Sequence, residues 1–305
     1  MKKLVSLLLC LLLTLGLAAP AFAAAEKPFD NSRYFESGDY SIHYRVFEAE
    51  APKGQIFMIH GFALSSYCFE ALAVRLCEGG YTCVIADLPD FGYSTRETAD
   101  TERVAREDLM HELMLSVSDE PWYVAGHSMG GYIAIAIAQK YPESVKNLLL
   151  YGTSGYDGAN PAAEKLMTNS AFVKVMGSVL KLLSKMKLLV RALLLTASGD
   201  LGFTRDYEIS YITDPYEIEG TGEGVIYNFA ALPATDYDAF PSLAPVLYVN
   251  AANDNVIDKK TIRKLKKYLP AGSTDVTLPD GGHLFIESRA DKTAEITLEF
   301  LAEHP

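Results

Sequence analysis

Short, wholly apolar runs recur along this chain, separated by stretches in which apolar residues return every three or four positions. "GQIFMIHG" from Gly54 and "YTCVIADLPDFG" from Tyr81 lack the alternation of a half-exposed strand and have the continuous hydrophobicity of strands buried on both faces of a parallel sheet. "PWYVAG", "VKNLLLYGTSG", "APVLYVNAAND" and "STDVTLPDGGH" repeat that signal, and "DYSIHYRVFEA" near Asp39 reads as the opening strand of a hairpin. Between these runs the spacing predicts helices over Tyr67–Glu78, ended by Gly79-Gly80, over Thr101–Val117 with charges on one face, over Met129–Lys140, and over Asp291–Ala302. Strands alternating with helices predict an α/β fold, with a mostly parallel central sheet flanked by helices. From Tyr156 to Ser242 the rhythm breaks into a helical stretch and then a Gly/Tyr/Asp-rich one without a clear strand. That segment is expected to be a mainly helical cap inserted after the sixth strand.

The first residues follow a different pattern. Lys2 and Lys3 precede the apolar run Leu4–Ala19, Pro20 breaks it, and Ala21-Phe22-Ala23 has the small-x-small form of a signal-peptidase site. Residues 1–23 are therefore expected to be a signal peptide cleaved near Ala23, which makes the protein exported, secreted or periplasmic. The alternative is a membrane tether by an uncleaved signal anchor. The expected division is then a core in two parts, 24–155 and 242–305, with the cap 156–241 between them.

The 305 residues carry a formal net charge of -12, and a surface of that sign excludes nucleic acid as a partner, because phosphate binding needs clustered cations. A local exception is "KVMGSVLKLLSKMKLLVRALLL" from Lys174, where cations punctuate an apolar helical pattern; such a helix suits peripheral contact with a membrane. Cys68, Cys77 and Cys83 remain beyond the leader, an odd number, so no disulfide scaffold is implied. No Cys/His spacing matches a zinc site, and neither metal nor organic cofactor is expected.

Chemistry enters at Gly126-His127-Ser128-Met129-Gly130. This G-x-S-x-G run follows an expected strand and opens an expected helix, the context a nucleophile elbow requires. A serine hydroxyl needs a base, and the base needs an orienting acid. His283, after the last strand and a glycine pair, falls at the same sheet edge as Ser128. Asp254, after "VLYVNA", supplies the acid in the chain order Ser, Asp, His; Asp157 is the rival and Asp258 a more distant one. The oxyanion donors expected are the backbone N–H groups of Met129, at the helix start, and of Phe62, in a loop shaped by His60 and Gly61.

"HGFALSSYCF", "DLPDFGYS", "GHSMGG", "ANDNVID" and "GGHLFIE" occur in the order found in the α/β-hydrolase superfamily, and from Gln55 to the end, cap excepted, the chain resembles a capped serine hydrolase of that kind. "GHSMGG" is similar to the elbow of monoacylglycerol lipases, haloperoxidase-like esterases and carbon-carbon hydrolases alike. The resemblance implies hydrolysis of a small-molecule ester, with lipophilic or medium-chain acyl groups favoured by the Leu/Met/Val-rich cap. Two alternatives stay open: a carbon-carbon bond hydrolase or acyltransferase of the same fold, and a catalytically silent binding relative. The oligomeric state is not readable.

Overall fold

Eight strands make one sheet: β1 (Ser32–Ser37), β2 (Tyr40–Phe47), β3 (Gly54–Ile59), β4 (Tyr81–Ala86), β5 (Trp122–His127), β6 (Val145–Tyr151), β7 (Val246–Ala251) and β8 (Thr274–Leu278), in the order β1-β2-β4-β3-β5-β6-β7-β8. This computed structural model describes residues 27–158 and 160–305. The leader 1–23 and its cleavage pattern lie outside the described residues. β2 runs antiparallel to both its neighbours, and every pairing from β4 to β8 is parallel.

The apolar runs of β3 to β7 are buried on both faces, as their continuity requires, whereas β8, expected to be of the same kind, is an edge strand that leaves Asp275 and Thr277 exposed. Along β3, Ile56 and Met58 point into one core with Leu72, Leu76 and Phe300, while Phe57 and Ile59 point into the other with Leu113, Ile133 and Ile137. The first of these layers is made by α1 (Glu70–Glu78) and α12 (Ala290–Glu303), the second by α2 (Arg106–Val117) and α3 (Met129–Lys140). From β3 the chain moves outward to β4 and then returns across the sheet to β5. The carboxyl ends of β3 and β5, paired Ile59 to Gly126, therefore open a crevice where the strand order reverses.

The insertion after β6 contains no strand among the described residues. It holds α4 (Pro161–Met167), α5 (Ser170–Ser184), α6 (Lys187–Ser198), α7 (Leu201–Asp206), α8 (Ser210–Thr213) and α9 (Thr221–Asn228). The lysine-punctuated run read as one amphipathic helix is two helices, broken where Met186 takes φ -85° and ψ 74°. Packing explains the break. α5 crosses α9 so closely that a Cβ on Gly177 would lie 2.7 Å from the Glu223 amide, whereas α6 turns toward the loop after β8. Arg96, in the loop after β4, pins the insertion to the core by donating to Thr221 Oγ1 at 2.7 Å and to the Pro215 carbonyl at 3.2 Å.

The start of one helix differs from expectation by more than a turn. The helix expected from Thr101 begins at Arg106, because residues 101–105 are held in a non-helical path in which the Val104 amide donates to Tyr40 Oη and Arg103 pairs with Glu97. Arg106 is buried rather than solvated, 2.8 Å from Glu97 and 3.6 Å from Asp90. α10 (Lys259–Lys266) was not legible beforehand, since Ile262 and Leu265 are its main apolar anchors within a run of cations. α11 (Phe285–Ser288) is a single turn between β8 and α12.

Candidate active site

Ser128 links β5 to α3 with φ 53° and ψ -120°, a left-handed conformation that costs a residue with a Cβ of order 1–3 kcal/mol and persists only where surroundings enforce it. Here its amide donates to the Tyr151 carbonyl at 3.0 Å, and its own carbonyl accepts from the Gly131 amide at 3.0 Å and Thr153 Oγ1 at 2.6 Å. The flanking glycines make the turn possible. A Cβ on Gly126 would lie 2.6 Å from Gly131 Cα, and one on Gly130 would collide with the Ile59 carbonyl oxygen. The serine side chain thus stands over the N-terminus of α3, where Met129, as first helical residue, has an N–H with no intrahelical acceptor and the helix dipole favours negative charge.

His283 and Asp254 meet from the loops after β8 and β7. His283 Nδ1 is 2.8 Å from Asp254 Oδ2, while Asp254 Oδ1 accepts the amides of Val256 at 2.8 Å and Ile257 at 3.1 Å. Burial works to raise the Asp254 carboxyl, but the His283 hydrogen bond, its charge and the two amides outweigh it, holding the group below its ordinary value. Asp254 is therefore ionised and can orient an Nδ1–H tautomer, which leaves Nε2 of His283 with a lone pair able to accept a proton.

His127, the residue in the x position before the serine, escaped the sequence reading. Its Nε2 donates to the His283 carbonyl at 3.0 Å, and burial, aided by His283, pushes its pKa down to about 3. The neutral ring is thus a fixed tether for the histidine loop. The unfolded chain takes up a proton near pH 6.5 that the folded state refuses down to about 3, so this residue contributes stability that is present above the unfolded value and lost on acidification through that window. No local signal could have found it, because its partner lies 156 residues away.

The loop after β3 is shaped by His60. Its Nε2 accepts the Leu88 amide at 3.0 Å, so Nδ1 carries the proton and donates to the Gly61 carbonyl at 2.7 Å. Gly61 packs so tightly that a Cβ there would sit 3.0 Å from Ser128 Cβ, which puts Phe62 next to the serine. Phe62 and Ser128 line the same cavity, of about 340 Å³. Leu180 and Leu183 of α5, Val190, Leu193 and Leu194 of α6, and Leu284 complete a nearly wholly apolar wall, into which His283 also faces.

α6 does more than roof this cavity. Its last carbonyls, which no helix can satisfy internally, accept from the active-site loops: Thr196 from Asn255 Nδ2 at 3.0 Å, Ala197 from the Leu284 amide at 3.4 Å, and Ser198 from the Gly282 amide at 2.8 Å. A Cβ on Gly282 would strike the Ala197 carbonyl oxygen. Gly282→Ala is accordingly expected to displace His283 and lower kcat on the order of 10²-fold with KM little changed, as misplacement by about an ångström does. Steady-state kinetics beside an unchanged far-UV circular dichroism spectrum check this; full kcat would show that the clamp does not position the base.

The remaining candidates lie elsewhere. Asp157 is on the surface, 2.5 Å from Lys264 Nζ, and Asp258 is exposed at the start of α10. His43, which sequence reasoning passed over, is buried between Ser32 Oγ and Asp87 Oδ2, both at 2.7 Å. This second Ser-His-Asp chain is sealed in the sheet, and its carboxylate is occupied by the Ser66 and Tyr93 amides, which makes it a structural lock. Cys68, Cys77 and Cys83 are free thiols. Among the described residues no group of three or more His, Cys, Asp or Glu could hold a metal ion.

Comparison with known proteins agrees with this architecture. Residues 55–290 match the family model described as the alpha/beta hydrolase fold. Lipase 3 of Moraxella sp. (strain TA144) is 39% identical over 103 residues, a match covering 33% of this chain and 32% of that protein. Lipase 1 of Psychrobacter immobilis is 27% identical over 253 residues, 79% of this chain and 74% of its relative. Among solved structures, a membrane phospholipase A superposes with a TM-score of 0.70 at 21% identity, covering 99% of both chains, a likeness of fold.

Proposed function

This chain belongs to the α/β-hydrolase fold family, and we propose that it cleaves lipophilic carboxylic esters through Ser128, His283 and Asp254 by way of an acyl-enzyme. The observation that carries the reading is the Asp254–His283 hydrogen bond of 2.8 Å at the wall of an apolar cavity that Ser128 also lines. His283 Nε2 takes the hydroxyl proton as Ser128 Oγ attacks the ester carbonyl. Asp254 holds the imidazole and stabilises its cationic form, and the N–H groups of Phe62 and Met129 receive the oxyanion. The protonated His283 then gives its proton to the departing alcohol. Water, deprotonated by the same nitrogen, releases the acid and restores the serine. The kinship with bacterial lipases supports a lipophilic acyl group, and a cavity of about 340 Å³ suits one of medium length.

The leader pattern of residues 1–23 supports export from the cytoplasm after cleavage near Ala23 as part of the proposal, and the strand-free composition of 156–241 supports a cap of those bounds. Among the described residues no single helix is long and apolar enough to cross a membrane. Peripheral contact is the fitting mode: Val175, Val179, Leu182 and Met186 form an exposed stripe along α5 and beyond its end, beside Lys174 and Lys185. A series of p-nitrophenyl esters of increasing acyl length tests the pocket. Leu194→Gln is expected to raise KM for octanoate or decanoate by about tenfold, the worth of 1–2 buried methylenes, while leaving acetate nearly unchanged. Equal effects on short and long chains would leave a small-ester hydrolase. Retention of the acyl group on an added amine or alcohol, rather than on water, would move the reaction to acyl transfer.

A further inference from the structure

A second cavity, of about 580 Å³, lies between α7 and α8 of the insertion and α1 and α11 of the core. We infer that it is a binding site for an organic ammonium cation. Its wall combines aromatic side chains with carboxylates, the pairing that recognises alkylammonium groups. Tyr67, Phe203, Tyr207 and Tyr211 line it; the Tyr67 and Tyr211 rings stack at 3.7 Å, and Tyr207 stands edge-on to Tyr67 at 5.9 Å and to Phe203 at 5.3 Å. Glu70, Asp206, Glu208, Glu287 and Asp291 face the same space, with Arg75 as the one basic side chain among the lining residues.

These acids are not equivalent. Glu70 pairs with Arg45 at 2.5 Å, Asp206 with Arg205 at 2.7 Å, and Asp291 with Arg75 at 2.6 Å. Glu208 accepts from Ser210, with Lys187 and Arg191 close enough to act on it. Glu287 has no ion pair among the described residues, and its Oε1 is a buried oxygen with no hydrogen-bond partner. Desolvation, reinforced by the charge of Glu70 and opposed by the Tyr207 hydroxyl, pushes its pKa up to about 8. Tyr67 and Cys68 are its other titratable neighbours, both acidic groups raised by burial, so none supplies the missing positive charge. A cation in the cavity would supply it. An inorganic ion is disfavoured, since the described carboxylates nowhere converge in a group able to coordinate a metal.

The cavity is separate from the ester pocket but shares its partitions. Leu64, Ile212 and Leu284 line the ester pocket, and Tyr67, Tyr211 and Glu287, each within three residues of its counterpart on the same segment, line the second cavity. Near neutral pH the entering cation displaces the Glu287 proton to buffer, leaving a carboxylate–ammonium pair. Affinity should therefore rise with pH, by at most about tenfold per unit below the Glu287 pKa, and level off above it.

Isothermal titration of the full chain with tetramethylammonium chloride tests this, run near pH 7 in two buffers of different ionisation enthalpy. Saturable binding with release of close to one proton is the expected result. Glu287→Gln, nearly isosteric with the protonated acid, should abolish proton release and weaken binding about tenfold or more above pH 8; Tyr211→Leu should weaken it several-fold and Tyr211→Phe should not. Cooperative melting and unaltered ester turnover identify variants that remain folded. Absence of saturable heat, equal affinity in Glu287→Gln, or equal competition by sodium or magnesium chloride would overturn the assignment.

Discussion

Alanine at position 128 is expected to reduce turnover of an activated ester by about 10³- to 10⁶-fold, with the fold retained, because in the proposed mechanism the hydroxyl lost is the group that attacks the carbonyl. The backbone at this position is held by three hydrogen bonds that involve only the amide and carbonyl of residue 128, and these survive the substitution. His283→Ala should cost about as much, and the double variant little more than either alone, since nucleophile and base act as one unit. Fluorophosphonate labelling provides an independent readout: the wild-type chain should react at Ser128, and Ser128→Ala should not react at all. A folded wild-type chain that fails to label would move the protein to the class of silent binding relatives.

Asn in place of Asp254 should lower kcat by about 10⁴-fold while Asp157→Asn changes it less than about twofold. The amide is isosteric, but its NH₂ can face Nδ1, which stabilises the wrong tautomer and removes the negative charge that balances the imidazolium. Asp157 is a solvent-exposed partner of Lys264 and a surface ion pair of that kind contributes little. The reverse ranking would place the acid after β6 instead of β7. Because the Asp254 carboxyl is held below its ordinary value, its contribution to stability is present above the unfolded pKa and lost as pH falls through the folded one. Activity loss in Asp254→Asn at neutral pH, where the carboxylate is fully ionised in the parent, therefore reads the missing charge and tautomer control.

Much of the molecule was legible in one dimension. β3 to β7 are continuous apolar runs because both faces of a parallel sheet are covered, and Ser128 announces itself through glycines that only a sharp strand-to-helix turn requires. The order Ser128, Asp254, His283 follows from loops at one sheet edge. The strand runs and the strand-to-helix turn are local patterns, each written within a few residues.

Other features depend on approach between distant segments. His127 and His283 are joined through a carbonyl, α6 ends on the loops that carry Asp254 and His283, and Gly177 marks a helix crossing rather than a turn. Spacing left both Asp254 and Asp157 as candidates, since both follow strands that end at the same edge; only the packed chain shows that Asp254 meets His283 while Asp157 pairs with Lys264, which is what supports proposing Asp254. The break at Met186 has neither glycine nor proline to announce it, and the second cavity draws its walls from 67–75, 203–211 and 287–291. Hydrophobic periodicity reports how one segment meets a generic apolar interior. Which hydrogen-bond donor finds which acceptor, and where one carboxyl oxygen is left without a donor, depends on pairwise geometry that arises only when the segments pack.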